Sequence, residues 1–164
     1  MMELMIARYS SSFIQKKRET IIRISSILFF LYSCLMIWEV FIGPYRSYSG
    51  IRRYNLYPFK TIADYFMNSW QYSFHVLFIN LAANVITFIP LGFFASLLFK
   101  RFNNILVMVV FSIIIITLIE SLQFIFNVGV FDIDDIILHT LGCIIGFAIY
   151  KIIKWILGRL KSWS

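Results

Sequence analysis

An all-α bundle is the fold this sequence predicts: a polytopic transmembrane protein with four spans and one short outer interfacial helix. Three observations carry that expectation. Hydrophobic residues make up 60 % of the 164 positions and charged residues only 14 %, against about a quarter charged in an average soluble domain. The apolar residues gather into runs long enough to cross a hydrocarbon core of roughly 30 Å. The basic residues stand at the ends of those runs. One soluble core could not bury this much Ile, Leu and Phe, so the excess has to face lipid, and there is no room for a second, soluble domain.

Positions 1–20 form a basic, polar leader with Arg8, Lys16, Lys17 and Arg18, able to lie on the membrane surface as an interfacial helix or to hang free. The first span covers about 21–42, with Trp38 and Glu39 near its end, and Gly43-Pro44 stops it. The run is too long for a signal-peptide core and lacks a small-x-small cleavage site. Positions 45–73 are the longest polar connection. Within it Ile62, Tyr65, Phe66 and Trp70 recur at helical spacing, which predicts the short interfacial helix over about 61–72. The second span covers about 74–99 and contains Pro90 and Gly92, so a kink or a break filled by neighbours is expected there. The third covers about 105–127 and ends at Asn127, Val128 and Gly129; the fourth covers about 133–157, with a tail over 158–164.

The net charge of +7 reads as topology. Lys100-Arg101, the leader and the tail with Lys151, Lys154, Arg159 and Lys161 alternate correctly for one side, the cytoplasm, which places both termini there. No aromatic-basic surface for nucleic acid is present, so nucleic acid is excluded as a partner. The outer connection nevertheless holds Arg46, Arg52, Arg53 and Lys60, and pairing with the outer carboxylates Asp132, Asp134 and Asp135 would explain why it stays outside. The two cysteines, Cys34 and Cys143, fall in different spans and read as buried free thiols. No metal or cofactor motif is present; DxDD alone is weak evidence for a metal.

Polar residues inside the spans fall on helical faces. Asn80, Asn84 and Thr87 share one face of the second span; Glu120, Gln123 and Asn127 share one face of the third; Asp135, His139, Gly142 and Gly146 share one face of the fourth. Each has a structural explanation: interhelical hydrogen bonds for the amides, close helix packing for Gly142 and Gly146, and an N-cap with a capping box for Asp132 and Asp135. Glu120 fits none of these. A carboxylate in a span costs about 2.5–3.5 kcal/mol even on the lenient insertion scale, so it has to be paired, protonated or lining a wet cavity. Glu120 and His139 are therefore the candidates for proton chemistry. Arg52, Arg53, Asn80, Asn84, Gln123, Asp132, Asp134 and Asp135 are the candidate ligand-binding residues.

Four blocks then make a resemblance specific. YNLYPFKTI from Tyr54, NLAANVITFIPLGFFASLLF from Asn80, IESLQF from Ile119 and FDIDDIILHTLGCIIGF from Phe131 occur in this order. Together they resemble the VanZ-like family of bacterial membrane proteins. The family's pattern matches here at Asn55, Pro58, Phe59, Asn80, Asn84, Pro90, Gly92, Glu120, Gln123, Asp132, Asp134, Asp135, Gly142 and Gly146; His139 stands where the family has Asn, and Val130 where it often has Arg. The resemblance implies a bacterial cell-membrane protein of a group named for low-level resistance to teicoplanin, a lipoglycopeptide antibiotic. It implies no reaction.

Three functional readings follow. The first is an envelope protein acting in glycopeptide tolerance through an outward polar cleft, with membrane lipids and a lipid-linked envelope molecule or lipoglycopeptide as partners. The second is an integral membrane enzyme on a prenyl-phosphate-like substrate, with the aspartates on Mg²⁺ and Arg52 and Arg53 on phosphate. The third is a non-catalytic packing partner, in a homo-oligomer or a larger membrane complex.

Overall fold

The computed structural model describes the backbone of residues 2–43, 53–67 and 74–161. Five helices appear in this order: α1 (Met2–Phe41), α2 (Lys60–Met67), α3 (Phe74–Leu98), α4 (Ile105–Phe126) and α5 (Ile133–Lys161). A 3₁₀ turn, Lys100–Asn103, joins α3 to α4, and two short strands, β1 (Tyr54–Asn55) and β2 (Phe131–Asp132), pair in parallel. Four helices are long and apolar enough to cross a membrane, over Gln15–Phe41, Asn80–Leu98, Ile105–Phe126 and Ile133–Gly158.

The leader is not a separate element. No Gly or Pro occurs before Gly43, and Lys, Arg, Glu and Gln are good helix formers. The helix therefore runs without interruption from Met2 into the first span. α3 likewise continues through Pro90. Pro90 has no N–H for the carbonyl of Ile86. One residue on, the Thr87 carbonyl accepts a hydrogen bond from the Tyr32 hydroxyl of α1 at 2.9 Å, so a neighbouring helix supplies a donor at the weak point.

Three helix ends are set by local chemistry. Asn104 caps α4, its Oδ1 accepting from Leu106 N–H at 2.8 Å. At the other end Asn127 adopts φ 56 and ψ 36. Its N–H reaches the Phe124 carbonyl, and Val128 N–H reaches the Gln123 carbonyl at 3.0 Å. That is a Schellman motif with Asn in the left-handed position, so Asn127 ends the helix instead of extending the polar face. Asp132 caps α5, its Oδ1 accepting from Asp134 N–H at 2.8 Å.

α5 packs most extensively on α3 and next on α4, while α1 lies at the edge of the bundle. α3 and α5 run in the same direction, since Val85, Ile89 and Phe93 meet Gly142, Gly146 and Tyr150 in rising order. Their backbones touch. A Cβ at Gly146 would lie 2.0 Å from the Ile89 carbonyl oxygen, and one at Gly92 would lie 2.0 Å from that of Cys143. Small residues allow this approach, which is how helices gain dispersion contact in lipid. Phe88, Ile116 and Cys143 form the buried centre, with Leu91, Ile119 and Ile136 around it. Phe30, Leu35 and Leu106 are among the many large apolar side chains left exposed, as a lipid-facing surface requires. Cys34 belongs to that exposed surface and only Cys143 is buried; neither is in a disulfide.

Candidate functional site

The acidic stretch that starts α5 sends its three carboxylates in different directions. Asp132 is buried. Besides capping its own helix, it accepts from the Asn55 amide at 3.1 Å and from the Thr61 hydroxyl at 2.6 Å. Asp134 is fully buried. Its two oxygens accept from the backbone N–H of Phe59 at 2.5 Å and of Ile62 at 3.1 Å. Phe59 is the cap residue of α2, since its carbonyl takes the first helical bond from Ala63 N–H at 2.8 Å, and Ile62 is the third residue inside. These are the two donors that a capping box satisfies from within one helix; here α5 satisfies them from outside. β1 and β2 complete the clip, with Phe131 N–H donating to the Arg53 carbonyl at 3.2 Å.

This corrects the expected partnership. Asp134 holds the connection through backbone amides, and among the described residues it forms no ion pair with Arg53. Arg52 lies outside the described residues. The connection's ion pair among the described residues is Lys60 with Asp64 within α2, 3.1 Å apart and exposed.

Asp135, one residue on, points the other way. Its Oδ1 accepts from the Asn84 side-chain amide of α3 at 3.0 Å. The backbone carbonyl of Asn84 holds His139 Nδ1 at 2.9 Å. A carbonyl can only accept, so Nδ1 carries the proton. The imidazole stacks on Phe88 with ring centroids 4.0 Å apart, and its Nε2 faces Glu120 Oε1 of α4 at 3.9 Å. Glu120 is 3 % exposed.

These groups line one cavity of about 570 Å³. α3 contributes Asn84, Thr87 and Phe88; α4 contributes Glu120 and Gln123; α5 contributes Asp135 and His139; Arg53 and the turn Val128 to Val130 complete the wall. α1 closes the remaining side with Met36, Glu39 and Val40. Gln123 also ties α4 to α1, donating to the Val40 carbonyl at 3.1 Å, one of the carbonyls left over at a helix C-terminus.

Of the sequence-predicted residues, the structure thus brings together Arg53, Asn84, Glu120, Gln123, Asp135 and His139. It leaves out Asn80, which is exposed on α3 away from the cavity lining, and Asp132 and Asp134, which are engaged by the connection. Glu39 and the Phe88 face went unrecognised in the sequence. Glu39 read as a charge tolerated at a span end, and nothing in the sequence singled out Phe88. Among the described residues no group of three or more His, Cys, Asp or Glu is placed to hold a metal ion. The DxDD aspartates in particular diverge.

Four helices long and apolar enough to cross a membrane, packed around a cavity lined by carboxylates, an imidazole and amides, define a multi-pass membrane protein. The chain belongs to the VanZ/LLP1 family, whose pattern matches residues 29–154 and so takes in every residue that lines the cavity. It is similar to Protein VanZ of Enterococcus faecium, with 29 % identity over 125 residues that cover 73 % of this chain and 69 % of that protein. No solved structure gives a significant match.

Proposed function

We propose that this VanZ-like membrane protein contributes to tolerance of teicoplanin-type glycopeptides, or to envelope homeostasis more broadly, through a polar cleft open to the outer face of a bacterial cell membrane. The ligand in this reading is a lipid-linked envelope molecule or the lipoglycopeptide itself. The supporting observation is the meeting of Arg53, Asn84, Glu120, Gln123, Asp135 and His139 on one cavity, at the membrane end where the basic connection joins α5. Keeping a carboxylate such as Glu120 inside a span is costly, and a function is the usual reason for it. The outward sense follows from the Lys/Arg distribution, which puts both termini in the cytoplasm. Likeness to a protein called VanZ gives the choice of antibiotic.

The test is a host lacking the gene, complemented with the natural chain or with Glu120→Gln. Susceptibility to teicoplanin should rise on deletion, return with the natural chain and stay raised with the variant at equal membrane abundance. Unchanged susceptibility to teicoplanin and to other envelope stresses after deletion would remove the support for this reading.

One observation favours a second reading, an integral membrane enzyme on a prenyl-phosphate-like substrate. His139 is held by one ring nitrogen while the other faces a carboxylate, an arrangement suited to general acid-base work. Turnover of such a substrate by purified protein, lost in His139→Asn, is the outcome it requires.

A further inference from the structure

We propose that the cavity takes a ligand anchored in the outer leaflet. Its polar head enters sideways between α1 and α4 while its hydrocarbon chain stays in lipid, and α1 is the gate. The proposal rests on the cavity being the ligand site, and it names the class of ligand and its way in.

α1 is the loosest wall of the cavity. It is the least buried of the four candidate spans, and it packs on α3 more than on α4. Its joins to α3 lie deep. Phe29 meets Phe94 with ring centroids 5.8 Å apart, and the Tyr32 hydroxyl donates to the Thr87 carbonyl at 2.9 Å. To α4 it is tied at its outer end, where Gln123 donates to the Val40 carbonyl at 3.1 Å and Phe41 meets Phe126 edge-on at 6.3 Å. A helix held in this way can tilt about its deep joins once the outer ties are released.

One turn deeper the seam parts. Ile37 precedes Phe41 by one turn and Leu122 precedes Phe126 by one turn, so each shares the face that makes the closing contact. Yet Ile37 is 59 % exposed and Leu122 41 % exposed, whereas a closed seam would cover both. Met36 of α1 and Ile119 of α4 line the cavity behind them. Met36 is unbranched and adaptable, a side chain suited to moving aside.

Depth selects the ligand. Glu120 precedes Phe126 by six residues, about 9 Å along α4 at 1.5 Å per residue. A lipid head drawn to that depth brings its chain with it. Inside a polar cavity the chain would strip water from polar groups without replacing their hydrogen bonds. Through the seam it lies instead against Ile37 and Leu122, which are continuous with the lipid-facing surface. A soluble ligand has no use for an apolar side opening.

The test uses the full chain with Cys34→Ser, Ile37→Cys and Leu122→Cys in phosphatidylcholine nanodiscs. The two new thiols replace exposed side chains, and Cys143 is buried. One sample is bridged with a flexible bis-maleimide, and its control is capped with N-ethylmaleimide. Two photoreactive probes are compared: a phospholipid carrying a diazirine on its headgroup, and the same diazirine headgroup without chains. Labelled residues are mapped by mass spectrometry. The lipid probe should label the buried residues Glu120 and Gln123 in the capped protein, and the bridge should abolish that labelling at a melting temperature no lower than the control's. Phe126→Ala in the natural chain removes an exposed ring and with it the closing contact. It should raise the initial rate of lipid labelling roughly two- to tenfold, the range an aromatic pair contributes. Lipid labelling that survives the bridge, failure of the two thiols to bridge, or an unchanged rate in Phe126→Ala overturns the gate. Labelling by the chainless probe alone also overturns it, yet leaves standing a cleft open to the aqueous outer face. Labelling by neither probe removes the cleft reading as well.

Discussion

Asp134 caps α2 through the backbone N–H of Ile62, 3.1 Å away, although the two residues stand 72 positions apart in the chain. The same carboxylate takes the N–H of Phe59, a residue held at φ 63. A bulky side chain in that region costs about 1–3 kcal/mol and persists only where its surroundings impose it. One buried carboxylate therefore starts α2, fixes the turn before it and fastens the connection to the last span.

Removing that carboxylate should release the clip. Asp134→Ala leaves two amides without their acceptor, each worth about 1–3 kcal/mol when buried, and Asp134→Asn should fall between the variant and the natural chain. Limited proteolysis within 53–67 should accelerate in that order while far-UV circular dichroism still reports the spans. Asp64→Asn is the control. Its ion pair with Lys60 is exposed, so its loss should change stability by less than about 1 kcal/mol.

Glycine substitutions should divide sharply along α5. Gly146→Ala and Gly142→Ala put a Cβ 2.0 and 2.2 Å from carbonyl oxygens of α3. Backbone on both sides has to separate, with a loss of about 1–3 kcal/mol or more. At Gly158 nothing lies within 4 Å, and Gly158→Ala should be neutral or slightly stabilising by helix propensity. Thermal melts of the detergent-solubilised proteins would read the contrast.

Asn84 separates side-chain from backbone contributions. Asn84→Ala deletes the bond to Asp135 but keeps the carbonyl that holds His139. The expected loss of stability is about 0.6–2 kcal/mol, the range for interhelical polar bonds in membranes. The imidazole should keep its Nδ1–H tautomer, visible in the ¹⁵N shifts of histidine-labelled protein. A change of tautomer would contradict the hydrogen bond assigned to the Asn84 carbonyl.

Orientation gives a fourth prediction. A cysteine at Asp64, in a background with Cys34→Ser, should react with an impermeant maleimide added to intact cells. One placed at Lys100 should react only after the membrane is opened. The reverse pattern would turn the cleft towards the cytoplasm and end the glycopeptide reading.

Much of the fold was legible in the chain order. Run length against bilayer thickness gave the spans, Gly43-Pro44 the end of α1, and Asp132 the start of α5. The polar faces were legible too, because Glu120 with Gln123, and Asp135 with His139, repeat at helical spacing. The leader was less so. Charge and polarity suggested a boundary near position 20, but nothing between Met2 and Phe41 breaks a helix, and charge alone does not. The fate of Asn80 was not legible at all. It shares a face with Asn84, yet four residues along a helix shift a side chain by about 6 Å, enough to pass beyond the cavity.

The acidic stretch marks the division most clearly. By itself the sequence determined that four helices cross a membrane and that carboxylates gather at the start of the last, because apolar length and residue spacing are local properties. Only the tertiary structure decided what each carboxylate does. Successive residues on a helix point about 100° apart, so Asp134 turns to the amides of α2 while Asp135 turns to Asn84 and the cavity. Which neighbour waits in each direction depends on how α3, α4 and the connection pack around α5, and that packing is set by contacts between residues far apart in the chain.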